Sequence, residues 1–287
     1  KRQTVEQLQA PMDDSRVREF GGDPVPAELT DVAWPIGWKF IVPGAALGLL
    51  ISFGLAYLRE LLNTRVRTPR DITKTLQIPL MGYVPDKDDD DALHGDLATA
   101  IRTSPTSLVA ESFRQIRSRL LAHADGQPAR TLLVSSFTPG GGATTVANNL
   151  ATGMALNDMK VLLIDANFHR PGLRTLYKSL PATGLSDVIA DASKLPSAVM
   201  QTNELPRMYV MGAGTRPAVG ASEILETKAF RELIDQLKSQ YDMVIFDGPP
   251  LSLVSDAAAI GSRVDGVLPV VRAGVVTRGM VSRVRDQ

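Results

Sequence analysis

One stretch of sequence constrains the fold of this chain more than any other. It covers residues 131–149 and reads TLLVSSFTPGGGATTVANN. A short apolar run ends in small polar residues, three glycines follow, and a segment that favours a helix begins at Thr144. Glycines let the backbone turn so that several N–H groups converge on one anion, and the positive end of the helix dipole adds to the attraction. The order of strand, glycine loop and helix therefore predicts a phosphate-binding loop.

The loop lacks the cation that usually accompanies it. A phosphate loop normally reads G-x-x-x-x-G-K-[ST], and its lysine reaches the terminal phosphates. Here the position after the last glycine is an alanine. We predict a cradle for Mg·ATP or Mg·ADP with weakened affinity, or one that binds no nucleotide. The candidate cofactor-binding residues are Gly140, Gly141, Gly142, Ala143, Thr144 and Thr145.

Strand and helix patterns alternate after the loop. This alternation predicts an α/β fold of the P-loop NTPase-like kind, a parallel sheet with helices on both faces. The predicted strands are 161–165, 208–211, 243–247 and 267–271. The predicted helices are 144–156, 185–190, 227–239 and 255–262.

Two of the predicted strands end in an aspartate, Asp165 in VLLIDAN and Asp247 in VIFDGPP. Carboxylates at this end of a parallel strand lie at the crevice where α/β folds bind ligands. In phosphate-loop enzymes they hold Mg²⁺, and the loop hydroxyl, here that of Thr144, is a further ligand. We therefore predict both as catalytic residues, and both with Thr144 as metal ligands. Either aspartate alone would be read as a helix cap or a turn residue.

A long apolar run precedes the glycine loop. Residues 40–58 contain no charge, and Trp38 just before the run and Tyr57 at its end lie where interfacial anchors do. We predict a transmembrane helix over residues 36–58, and the alternative is a buried core helix. Basic residues follow the run and mostly acidic ones precede it, so the positive-inside rule places the later part of the chain in the cytoplasm.

The remaining sequence divides around this helix. Residues 1–35 are predicted to be a membrane-proximal extracytoplasmic segment, 59–91 a juxtamembrane linker, and 92–287 a cytoplasmic domain that is incomplete at its C-terminus. Residues 76–85 are expected to be locally ordered. The acidic run DKDDDD at 86–91 is interpreted as a solvated linker, with a metal site as the alternative.

Composition removes some classes of function. The chain has 31 basic and 31 acidic residues, so its net charge does not indicate nucleic acid as a partner. It has no cysteine, and its three histidines lack the spacing of metal ligands.

A predicted amphipathic helix at 108–122 carries Glu111, Arg114 and Arg117. Steps of three residues keep these side chains on one arc of a helix. Taken alone, the pattern is typical of an intrahelical Glu111–Arg114 pair on a solvated face.

Together these motifs resemble the bacterial tyrosine kinases (BY-kinases) fused to polysaccharide co-polymerases, the Wzc-type inner-membrane proteins of exopolysaccharide and capsule export. The resemblance implies that the E-x-x-R-x-x-R helix contacts the neighbouring subunit. It also implies a homo-oligomeric ring, expected to be an octamer, and contacts with membrane lipid, polysaccharide, a polymerase and an outer-membrane export channel. The motifs that carry it, in family order, are the prolines before the span, the span, LQIPLMGYVP, ESFRQIR, SSFTPGGGATT, VLLIDANFHRP, LSDVI, VMGAGTRPAVGASEIL, YDMVIFDGPPL and SDAAAI.

The departures from the family pattern affect catalysis. The family loop ends P-G-E-G-K-[ST], and here Gly141 replaces the acid and Ala143 the lysine. The second motif normally reads D-x-D, and here Asn167 replaces its second carboxylate. Arg170 is a candidate substitute cation. The last tyrosine is Tyr241, so no C-terminal tyrosine cluster is visible.

These departures favour a catalytically impaired tyrosine kinase, a pseudokinase, in which the cytoplasmic domain serves assembly of a polysaccharide co-polymerase in the bacterial inner membrane. The alternative is an active tyrosine autokinase in which Ala143 is an engineered substitution. A membrane-associated partitioning ATPase is disfavoured, because those proteins carry a further lysine where this chain has Thr138.

Overall fold

The computed structural model describes residues 33–61, 66, 73, 77–122, 129–217, 220–251 and 255–285. The chain forms two compact units, Lys1–Asn63 and Thr64–Gln287. The predicted extracytoplasmic segment lies outside the described residues up to position 32. Leu76, the first residue of the segment expected to be locally ordered, also lies outside them.

The first unit contains one long helix, α1 (Ala33–Leu61). Its stretch Trp38–Glu60 is long and apolar enough to cross a membrane by length and composition, and no part of it is buried within the protein. At 1.5 Å per residue this stretch measures about 35 Å, against about 30 Å for a bilayer's hydrocarbon core. The helix extends the predicted 36–58 span by three residues at each end and contains Pro43.

The second unit is built on a six-stranded sheet with the order β3-β4-β2-β5-β1-β6. Every neighbouring pair is parallel except β3 and β4, which are antiparallel. The strands are β1 (Thr131–Ser136), β2 (Val161–Asp165), β3 (Val199–Gln201), β4 (Met208–Met211), β5 (Met243–Asp247) and β6 (Gly266–Val270).

Ten α-helices of the second unit fall within the described residues, together with three short 3₁₀ turns at Lys87–Asp89, Leu97–Thr99 and Ala192–Lys194. The helices are α2 (Ala100–Thr103), α3 (Leu108–Ala122), α4 (Ala143–Ala155), α5 (Leu173–Leu176), α6 (Leu185–Ala190), α7 (Leu195–Ala198), α8 (Ala221–Leu225), α9 (Lys228–Gln240), α10 (Asp256–Gly261) and α11 (Arg278–Arg285).

The sheet is covered on both faces. Successive side chains of a strand point to opposite faces. Leu132 and Val134 of β1 accordingly pack in a cluster with α3 and α4, whereas Leu133 packs in a second cluster with α6 and α9. The predicted α/β architecture with helices on both faces is therefore confirmed.

Most element boundaries agree with the sequence prediction. Strands β2, β4 and β5 and helices α3 and α6 match it residue for residue, and α4, α9, α10 and β6 differ by one residue at each end. One strand of the sheet, β3, was not predicted, and it pairs antiparallel with β4. That strand has three half-buried or exposed residues at the sheet edge, too few to show an alternating pattern.

The segment at 77–85 packs against α3, as its predicted local order requires. Met81 and Val84 contact the apolar cluster that contains α3. Gly82 lies so close to Ile116 that an added Cβ would stand 2.3 Å from Ile116 Cγ1. Arg119 Nη1 also donates to the carbonyl of Met81 at 3.2 Å.

The acidic run at 86–91 is not uniformly solvated. Its other aspartates are exposed, but Asp90 is buried, and its carboxylate accepts hydrogen bonds from Val109 N at 2.8 Å and Ala92 N at 3.2 Å. The first N–H groups of a helix have no partner within that helix. Asp90 supplies a hydrogen-bond acceptor for the first turn of α3. The interpretation of the run as a solvated linker is therefore wrong at this residue.

We predict that Asp90→Ala destabilises the second unit by about 1–3 kcal/mol, because the buried N–H of Val109 loses its acceptor. Thermal unfolding of the detergent-solubilised protein measures the change. Asp88→Ala, an exposed change in the same acidic run, is the matched control and should shift the midpoint by little. Equal effects from the two substitutions would contradict the cap.

Candidate phosphate-binding site

The strand order brings the predicted site residues together. The neighbours β1, β5 and β2 end at the same edge of the sheet, and Asp247 is in register with Val134 on one side and with Asp165 on the other. Adjacent strands lie about 4.8 Å apart, so the two carboxylates are close neighbours. Both side chains are almost completely buried.

Helix α4 places its first turn against these carboxylates. Thr144 Oγ1 donates a 2.7 Å hydrogen bond to Asp247 Oδ2. The loop that follows β2 covers the same hydroxyl, since a Cβ on Gly172 would stand 2.7 Å from Thr144 Oγ1. Only glycine permits this close approach.

Asp165 is held by backbone N–H groups. Its Oδ2 accepts from Leu173 N at 2.9 Å and its Oδ1 from Asn167 N at 3.1 Å. Asp165 therefore fixes the loop that covers Thr144, in addition to any role toward a metal ion.

Burial disfavours the ionised form of both carboxyl groups, and for Asp247 the charge of Asp165 adds to the effect. Burial raises the pKa of Asp165 to about 6, against the lowering effect of its backbone hydrogen bonds. Burial, and then the charge of Asp165, raise the pKa of Asp247 to about 8, although the Thr144 hydroxyl acts in the opposite direction. A cation at this position would relieve the repulsion.

The oxygen ligands fit a hard divalent cation. Thr144, Asp165 and Asp247 offer one hydroxyl and two carboxylates, the donor type that Mg²⁺ prefers. Mg²⁺ usually binds through one or two carboxylates together with water and substrate phosphates, so this set can serve a metal–nucleotide complex. Within the described residues, no group of three or more histidine, aspartate or glutamate side chains could hold a metal ion.

The glycine loop fits a phosphate only in part. Gly140 and Gly142 have φ values of 70° and 96°, and Gly142 immediately precedes α4. The N–H of Gly141, however, donates to the carbonyl of Thr138 at 3.0 Å. That N–H is directed away from an anion in the loop.

The structure also leaves no space for the family's acidic residue at position 141. A Cβ there would stand 2.7 Å from Ser136 Cβ and 2.9 Å from the carbonyl oxygen of Thr138. Ala143, at the lysine position, is 8% exposed and belongs to the apolar cluster of α3 and α4. Both positions at which this loop departs from the family pattern are thus packed against the protein itself.

Asn167 acts as a loop residue. Its Oδ1 accepts a 3.0 Å hydrogen bond from Arg170 N. The Arg170 side chain is exposed, and the contacts of the described residues bring no guanidinium to the glycine loop. Arg170 as a substitute cation stays a prediction.

The third predicted group lies apart, on α3. Arg114 Nη1 contacts Glu111 Oε2 at 2.6 Å, and Arg114 also donates to the carbonyl of Pro105. Arg117 Nη1 donates to the carbonyl of Gly153 in α4 at 2.6 Å. The intrahelical pair is therefore present, and the role of the three residues at a subunit interface stays a prediction.

Sequence reasoning missed two features near the site. His169 Nε2 lies 3.0 Å from Asp256 Oδ2, a buried carboxylate at the start of α10. Asn148 and Asn149, buried in the middle of α4, bind the backbone of residues 97–101. An asparagine in an otherwise apolar helix face was the available signal for the second feature.

Comparison with known proteins identifies the family. A sequence model described as an AAA domain matches residues 129–273, half of the chain. Tyrosine-protein kinase YwqD of Bacillus subtilis is 33% identical over 184 residues, which cover 64% of this chain and 77% of YwqD. The chain belongs to the bacterial tyrosine kinase family. The predicted resemblance is confirmed.

Solved BY-kinase domains share the fold. The BceF tyrosine kinase domain matches with a TM-score of 0.68 at 28% identity, covering 77% of this chain and 92% of that domain. The kinase domain of Escherichia coli ETK matches with a TM-score of 0.67 at 28% identity, covering 77% and 88%. The P-loop NTPase-like fold class is therefore confirmed.

A larger relative matches more of this chain. Tyrosine-protein kinase wzc of Salmonella typhimurium is 29% identical over 252 residues, which cover 83% of this chain. The chain spans only 34% of that protein's length.

The pKa of Asp247 predicts a pH-dependent effect on stability. Its folded pKa of about 8 lies above its unfolded pKa of about 3.9, so its contribution is complete below about pH 4 and is lost as pH rises toward 8. Asn at this position cannot ionise and can still accept the Thr144 hydrogen bond. In Mg²⁺-free buffer, the Tm of Asp247→Asn minus that of the parent should be several degrees larger at pH 8.5 than at pH 5.

Asp235→Asn, on the exposed side of α9, is the control for the exchange of a carboxylate for an amide outside the site. An Asp247→Asn difference that is equal at the two pH values would contradict the raised pKa.

Proposed function

We propose that this BY-kinase is the membrane-proximal and cytoplasmic part of an inner-membrane protein of exopolysaccharide or capsule export, and that its kinase domain is catalytically impaired and serves assembly. The proposal rests on two features of the glycine loop. Ala143 is buried at the lysine position, and the N–H of Gly141 donates to the carbonyl of Thr138.

The residues present support anchoring of a nucleotide more than phosphoryl transfer. The N-terminus of α4, with Thr144 and Thr145, attracts phosphate through its free N–H groups and dipole. Thr144, Asp165 and Asp247 would hold Mg²⁺, which neutralises charge on the phosphates. An ammonium group that contacts the terminal phosphates is missing, and its loss weakens binding by roughly two decades or more in affinity.

The acid–base step is affected separately. Phosphoryl transfer to tyrosine needs a group that positions the hydroxyl and accepts its proton. Asn167, at the family's second carboxylate position, cannot accept a proton at neutral pH, and its Oδ1 is bound to the backbone N–H of Arg170. Two independent requirements of the reaction are thus weakened in one site.

The preserved part of the domain is its packed scaffold. We propose that α3 contributes Glu111 and Arg114 to a homo-oligomeric ring, expected to be an octamer. The ring would act with membrane lipid, polysaccharide, a polymerase and an outer-membrane export channel in setting polymer length or handing polysaccharide to export. The α3 pattern and the candidate span support this proposal.

We predict that Mg·ATP binds the parent at least 100-fold more weakly than Ala143→Lys, because the substitution restores a charge-assisted contact to phosphate. Calorimetric titration of the full chain in detergent measures the two affinities. Ala143→Met adds a side chain of similar length without charge and is the matched control.

A parent that binds Mg·ATP with micromolar affinity would show that the lysine is dispensable in this loop. A parent that transfers phosphate to tyrosine would make the pseudokinase proposal wrong. Ala143→Lys combined with Asn167→Asp tests whether restoring both groups restores phosphoryl transfer.

We propose that the second unit faces the cytoplasm, and the absence of cysteine makes the orientation directly testable. A membrane-impermeant maleimide added to spheroplasts should label Ser15→Cys, which precedes α1. It should label Ser239→Cys, at an exposed position of α9, only after the membrane is permeabilised. The reverse pattern would contradict the orientation that the charge distribution around α1 predicts.

A further inference from the structure

The end of the glycine-loop helix α4 has an unusual cap. The last carbonyls of a helix lack N–H partners within it. The N–H groups of Leu156 and Asn157 bind the carbonyls of Thr152 and Met154. The Gly153 carbonyl is instead satisfied by side chains.

Two donors reach that carbonyl. Arg117 Nη1 in α3 donates to it at 2.6 Å, and Asn157 Nδ2 donates at 2.8 Å. A guanidinium at this end of a helix also interacts favourably with the negative end of the helix dipole. Arg117 is thus a charged cap on α4 contributed by another helix.

Gly153 provides the space for this contact. A Cβ there would stand 3.0 Å from Ile101 Cδ1 and 3.8 Å from Arg117 Nη1. An added Cβ would crowd Ile101 and would lie in ordinary van der Waals contact with the guanidinium. The backbone of α4 can therefore approach both α2 and α3 closely at this point.

Asn149 makes a second link one turn earlier on the same face of α4, since residues four apart are neighbours on a helix. Its completely buried amide accepts from Ile101 N at 3.0 Å and donates to the carbonyls of Leu97 and Ala98 at 2.8 and 3.0 Å. It also donates to the carbonyl of Thr145, at the start of the helix, at 2.9 Å. Asn149 and Gly153 thus bind the segment before α3 and α3 itself.

Glu111 and Arg114 differ from Arg117 in what they contact. They bind each other, Arg114 also donates to the Pro105 carbonyl, and the side chains of Glu111 and Arg114 remain 52% and 37% exposed. Both are open to a second copy of the chain. The guanidinium of Arg117 is hydrogen-bonded to the Gly153 carbonyl of α4.

We infer that Arg117 is a positioning residue that caps α4 and, with Asn149, fixes α3 and the segment before it to the glycine-loop helix, and that Glu111 and Arg114, and not Arg117, form the charged contact of α3 with another subunit. The contact part of this inference rests on the proposed assembly role. The cap does not depend on it.

Amide hydrogen exchange of the full chain in detergent tests the cap. Arg117→Met keeps the apolar stem and removes the donors and the charge, so the amides at 154–157 and that of Ile101 should exchange roughly tenfold faster. Arg117→Lys, which keeps a cation and donors, should restore much of the protection. Arg114→Ala, on the same helix, should leave these amides unchanged.

Amides of α9 serve as the internal reference, because global destabilisation would raise their exchange as well. Parent-like protection at 154–157 and at Ile101 in Arg117→Met would overturn the cap. Equal exchange rates in Arg117→Met and Arg117→Lys would also overturn the cap, because the charge and the donors that only the Lys variant keeps would then have no effect.

The molecular mass of the oligomer in the same samples tests the proposed assembly role separately from the cap. Loss of assembly in Glu111→Ala and Arg114→Ala, with normal exchange in α4, is the expected result. If these variants assemble like the parent, the assembly role of α3 fails, whereas the exchange data still decide the cap. Loss of assembly in Arg117→Met without any change in exchange would make Arg117 a contact residue and refute the inference.

Discussion

The contact between Thr144 and Asp247 joins the two halves of the candidate site. It ties the first turn of α4 to the end of β5, beside a second buried carboxylate on β2. Burying two carboxyl groups side by side is costly unless they are protonated, hydrogen-bonded or neutralised by a cation. The backbone N–H groups that bind Asp165 and the hydroxyl that binds Asp247 meet part of this requirement. The loop after β2 and the helix after the glycines are therefore held in place by the same pair of acids.

The losses at Ala143 and Asn167 leave this framework intact. Neither residue contributes a charge to it, since Ala143 packs within an apolar cluster and Asn167 binds the backbone of its own loop. The fold depends on apolar side chains that alternate between the two faces of the sheet, and these are unaffected by the chemistry at its edge. The architecture thus does not depend on a charged side chain at either position.

The sequence predicted the fold well where the pattern was long or chemically distinctive. The apolar strands β2, β4 and β5 and helix α3 were predicted without error in their bounds, and so was the meeting of Asp165 and Asp247 at one edge of the sheet. Strand β3 was missed because three residues carry no periodic signal. The burial of Asp90 and the capping of α4 by Arg117 join residues far apart in sequence, so that no local pattern could indicate them.

Helix α4 connects the two surfaces on which the function of this chain is proposed to depend. Its first turn forms the predicted cradle. On its later turns, Asn149 binds the segment before α3, and the Gly153 carbonyl binds Arg117 of α3. Under the proposed assembly role, the hydrogen bonds of Asn149 and Gly153 would couple the cradle to the helix that presents Glu111 and Arg114. The backbone of a glycine loop that lacks its lysine would then still have a structural purpose.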